Sequence, residues 1–85
     1  MAIDYARMQK SGPKLKAQLT RATKIADPMK RYLAVLVACK TAVTEWNAVG
    51  AWIDDWSRWQ RALLDAAANL HSAGVFFIVP RLEEL

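Results

Sequence analysis

Cysteine is nearly absent from this chain: Cys39 stands alone, so no internal disulfide can form. Histidine is equally scarce, with His71 the single representative. One thiol and one imidazole cannot supply the four N/S ligands of a zinc site, and a Ser/His/Asp or Cys/His constellation would have to be built on His71 alone. The three glycines at 12, 50 and 74 are isolated, which leaves no Gly-rich phosphate loop. Long apolar runs are missing too. The central stretch Tyr32 to Cys39 falls far short of the ~20 residues that a membrane span requires, and Met1 to Lys10 lacks the apolar core of a signal peptide. A soluble, cytoplasmic protein without a membrane partner is therefore expected.

The remaining polar groups fit structural roles. His71 falls in the last turn of a predicted helix, where the macrodipole favours an imidazole. Cys39 lies on an apolar helix face, the usual place for an inert core thiol. Asp54 and Asp55 are adjacent, so on a helix they point apart and cannot chelate together. No enzyme activity, cofactor or metal is expected.

What the chain does contain is apolar surface and uneven charge. Its 85 residues are 54% hydrophobic with four tryptophans, a composition that argues against disorder. Residues 1–40 carry nine basic side chains against Asp4 and Asp27, a net of +7, whereas residues 41–85 carry three against six acidic ones, a net of −3. A basic contact end and a nearly neutral packing end follow.

Periodicity predicts an all-α fold: a small three- to four-helix domain with a helical-hairpin core, a basic N-terminal helix and a short extended C-terminal arm. Residues 1–26 form the basic segment, interrupted at Ser11-Gly12-Pro13, where a glycine can end one helix and a proline open the next. Leu15, Leu19, Ala22 and Ala26 make the apolar stripe of its second part. Residues 27–72 form the hairpin, or one long kinked helix. Asp27-Pro28 starts it as N-cap and first helical residue. Tyr32, Leu36, Cys39, Val43 and Trp46 keep helical spacing, with Met29, Leu33, Val35, Val37 and Val49 widening the arc. Gly50 ends the first arm, and the second begins with Asp54 and Asp55 in its first turn. Residues 73–85 form the arm and tail, in which Val75 to Val79 (VFFIV) has β-type composition and stops at Pro80. A lone strand must pack on the helices, pair with a copy of itself or add to a partner's sheet.

Two surfaces suggest function. Trp52, Trp56 and Trp59 share one predicted helix face, flanked by Arg58 and Arg61. An aromatic stripe at this spacing commonly forms core, but Trp and Arg are also the residues most enriched at binding hot spots. With Phe76 and Phe77 of the arm, these residues make the candidate protein interface. Three indoles crowd one small core, so a homodimer could accommodate them. Lys10, Lys14, Arg21, Lys24, Lys30 and Arg31 form the second surface, suited to phosphates or to an acidic partner, though without aromatic residues placed for base stacking. The leading expectation is a non-catalytic protein-binding module, regulator or inhibitor. The alternatives are a nucleic-acid-associated protein using the basic half, and a structural component of a larger particle.

Overall fold

The computed structural model describes residues 2–52 and 54–85. Three α-helices, α1 (Tyr5–Thr23), α2 (Pro28–Val49) and α3 (Trp56–Ser72), are followed by a single 3-10 turn, Leu82–Glu84. There is no strand among the described residues.

The expected interruption at Ser11-Gly12-Pro13 does not occur, and α1 runs straight through it. Pro13 removes the N–H that would bond the Gln9 carbonyl, but both residues face solvent, where water can take its place. The gap is bridged on the other side by packing. Leu15, Leu19 and Ala22 are buried against the rest of the core. The first turn is tied down separately: the Asp4 N–H donates to the Val49 carbonyl at 3.0 Å, and the Asp4 carboxylate caps the Arg7 N–H at 3.0 Å. The Arg7 guanidinium then grips Glu45 of α2 at 2.7 to 3.2 Å. With both halves fixed to α2, tertiary contacts outweigh one missing hydrogen bond.

The start of α2 follows the sequence signal. The Asp27 carboxylate accepts from the Lys30 N–H at 2.8 Å, and Pro28 occupies the first turn. Its end is Gly50 in the left-handed conformation (φ +87°), whose N–H donates to the Trp46 carbonyl at 2.8 Å. Gly50 thus separates α2 from α3. The second arm begins later than expected, however. Trp52 lies outside α3, and Asp55 is its N-cap, accepting from the Ser57 N–H at 3.1 Å and the Ser57 hydroxyl at 2.8 Å.

α2 lies at the centre, packed against both α1 and α3. Val35, Ala38, Cys39 and Ala42 are completely buried, and the small side chains among them, with Ala66 and Ala67 of α3, let the helices approach closely. The predicted arc is wider than the buried one. Met29, Leu33 and Val37 stand at one edge of α2 and remain about half exposed.

Residues 75–81 carry no regular secondary structure. The segment is held at both ends: the Val75 N–H donates to the Leu70 carbonyl at 2.9 Å, and the Leu82 N–H donates to Gln60 Oε1 at 3.2 Å. Leu82 itself is fully buried, and Phe77 and Val79 pack on the core from outside.

Candidate functional site

The tryptophans form a cluster at the α2–α3 turn rather than a row along one helix. Trp46 near the end of α2 meets Trp52 of the turn edge-on at 4.8 Å and Trp56 of α3 at 4.7 Å between ring centroids. Trp52 and Trp56 lie 4.5 Å apart. Trp59 is 0% exposed and belongs to the core. Trp52 and Trp56 are half-buried, so only their outer edges reach the surface. The wet side of α3 beside them holds Arg58, Arg61 and the exposed Leu64, which share with Trp56 a shallow cavity of about 530 Å³.

Asp54 explains how a buried indole is satisfied here. Its carboxylate accepts the Trp59 Nε1–H at 3.2 Å and lies 3.5 Å from the Arg58 guanidinium and 3.6 Å from the Lys16 ammonium. Burial works to raise its pKa. The Asp55 N–H, Lys16, the Trp59 indole and Arg58 outweigh burial and hold the carboxyl below its ordinary value. The same residue thereby joins α1, the turn and α3. Of its contacts only the i,i+4 spacing to Arg58 is legible in the sequence, because Lys16 lies far away along the chain and the Trp59 indole is buried.

The basic residues expected to act as one surface are divided among several. Lys10 and Lys14 line a cavity with Asp4, Arg7 and Ser11 at the start of α1. Arg21 borders an apolar groove of about 500 Å³ with Ile25, Leu33 and Val37. Lys24 and Lys30 are exposed at the α1–α2 connection. Arg31 leaves this group and joins Arg58 and Arg61 in another cavity, of about 430 Å³, between the end of α1 and α3. Arg31 lies at the start of α2 whereas Arg58 and Arg61 lie in the first turns of α3, so the hairpin register alone does not announce their shared cavity.

The C-terminal aromatics are split as well. Phe77 faces inward, 4.8 Å from the Tyr32 ring and 5.0 Å from the His71 imidazole. Phe76 faces outward at 80% exposure, with the His71 ring lying against it at 5.9 Å. Ile78, which sequence reasoning did not single out, is 94% exposed. The alternation 76 out, 77 in, 78 out, 79 in is that of a half-buried strand. Among the described residues, no backbone N–H or carbonyl of residues 76–79 has a hydrogen-bond partner.

Cys39 is completely enclosed, its Sγ 3.8 Å from the Trp59 carbonyl, and burial pushes its thiol up to about 12. It stays protonated and inaccessible at neutral pH. Among the described residues no three His, Cys, Asp or Glu side chains are placed to share a metal ion. No described helix is long and apolar enough to cross a membrane. Comparison with protein families, with curated proteins and with solved structures finds no match to this chain.

Proposed function

We propose that this protein is a small docking module that holds a protein partner through its C-terminal segment, with Phe76 and Ile78 as anchors. The carrying observation is the outward pair Phe76 and Ile78 on a segment whose backbone is unpaired from 76 to 79. Large apolar side chains left this exposed are a liability that a partner removes. Burying the two would contribute about 1.5–3 kcal/mol each. Four residues of free backbone can also add to the edge of a partner's sheet, with side-chain alternation supplying specificity.

The inward residues make the segment a presented surface rather than a loose tail. Phe77 against Tyr32 and the buried Leu82 hold both flanks, so docking orders few new residues and loses little entropy. The tryptophan cluster then serves as scaffold. Its exposed neighbours Arg58, Arg61 and Leu64 form a separate, more polar surface.

Affinity capture from the cells that make the protein tests this reading, with the native chain and a Phe76→Ser/Ile78→Ser variant as baits. Both baits should show the same helical circular dichroism. Proteins retained by the native chain and released by the variant are the expected result; identical retention by both baits refutes it.

A further inference from the structure

Three arginines from two helices line the cavity between the end of α1 and α3. Arg31 comes from α2, Arg58 and Arg61 come from α3, and Thr23, Ala62, Asp65 and Asn69 complete the lining. The two acids nearby are already engaged. Asp54 is shared by Lys16 and Arg58, and Asp65 lies 3.3 Å from Arg61 in an exposed pair. Arg31 has no carboxylate at ion-pair distance among the described residues, and it directs one N–H to the Ile25 carbonyl at 3.1 Å. On the cavity wall itself Arg31, Arg58 and Arg61 therefore stand against Asp65 alone, a net of +2.

We propose that this cleft binds a phosphate group of a phosphorylated ligand. A concave surface of one sign focuses its field and attracts the complementary ion. Guanidinium forks match phosphate oxygens in pairs. A tetrahedral phosphate accepts hydrogen bonds on several sides, so it can take donors arriving from both helices better than a planar carboxylate. Exposed pairing between Arg61 and Asp65 is worth little and is easily exchanged for a ligand. The Asn69 side-chain amide makes no hydrogen bond among the described residues and adds neutral donors at the rim. This site shares no residue with the C-terminal docking segment, so either claim can fail alone.

The test is NMR observation of the backbone amide, arginine Nε–H and Asn69 side-chain amide signals during titration with inorganic pyrophosphate. Parallel titrations, at matched ionic strength, use a 12-nucleotide oligodeoxythymidine and malonate, a dianionic dicarboxylate. Saturable shifts at Arg31, Arg58, Arg61 and Asn69 with pyrophosphate or the oligonucleotide, and weaker ones with malonate, are expected. Tighter saturation by the oligonucleotide would assign the phosphate to nucleic acid; tighter saturation by pyrophosphate would assign it to a small ligand. Arg31→Lys with Arg61→Gln should weaken binding about tenfold or more, with backbone signals elsewhere unmoved. The proposal is overturned by the absence of saturable shifts, by equal shifts with malonate, or by shifts centred on Lys10 and Lys14 that the variant does not change.

Discussion

Trp59 and Phe76 are both large aromatic residues, and their environments are opposite. Trp59 is enclosed, and its indole N–H is held by Asp54 at 3.2 Å. Truncation there leaves a cavity and removes one of the partners of the Asp54 carboxylate. Trp59→Ala should cost roughly 3–5 kcal/mol, a large share of the roughly 4–13 kcal/mol available to a chain of this size. Its thermal midpoint should fall by about 12–40 °C. Phe76 is mostly in water already, so Phe76→Ala should move stability by less than about 0.5 kcal/mol. Thermal melts followed by circular dichroism separate the two cases, and equal losses would mean that Phe76 is packed. Sequence alone could not make this distinction, because helical spacing marks a residue's face without saying what lies opposite.

At the level of elements, capping residues were the legible signals. Asp27-Pro28 and Gly50 mark the ends of α2 because cap chemistry is local and needs no tertiary partner. Ser11-Gly12-Pro13 misleads for the converse reason: its local preference to break is overridden by Leu15, Leu19 and Arg7, all anchored outside their own helix. Trp52 keeps the phase of the apolar stripe while sitting in a turn, since its ring packs on Trp46 without needing helical backbone. The two glycines concerned should respond in opposite directions. A Cβ at Gly12 meets nothing within 4 Å, so Gly12→Ala should stabilise by about 0.5–1 kcal/mol through helix propensity. Gly50→Ala should destabilise by about 1–2 kcal/mol, because a side chain at φ +87° is strained. Urea midpoints measure both; a loss at Gly12 would show that the helix is not continuous there.

For the molecule as a whole, charge sets the response to acid. Hydrogen bonding and attraction from Arg7 hold the Glu45 carboxyl below its ordinary 4.5, and Asp54 is held below its ordinary 3.8. A carboxylate depressed in the folded state binds fewer protons there than in the unfolded chain. Its stabilising contribution is complete above the ordinary value and is lost as pH falls through the lower, folded one. The melting midpoint should accordingly fall from about pH 5 downward. Asp54→Asn should flatten part of that slope, and an unchanged slope would remove Asp54 from the account. Arg58, Arg61 and Phe76 were candidates from the sequence and are exposed in the fold. The company of Arg31 and the exposure of Ile78 depend on helix register and on the path of residues 75–81, which composition does not encode.

The docking reading rests on a backbone left unpaired beside outward apolar side chains, and hydrogen–deuterium exchange of the monomeric chain tests it most directly. Amides of Phe76, Phe77, Ile78 and Val79 should exchange rapidly, while those of Val75 and Leu82, bonded to the Leu70 carbonyl and Gln60 Oε1, should be protected. Slow exchange across residues 76–79 would contradict the account, because the segment would then already be paired within its own fold and would have no free edge to offer a partner.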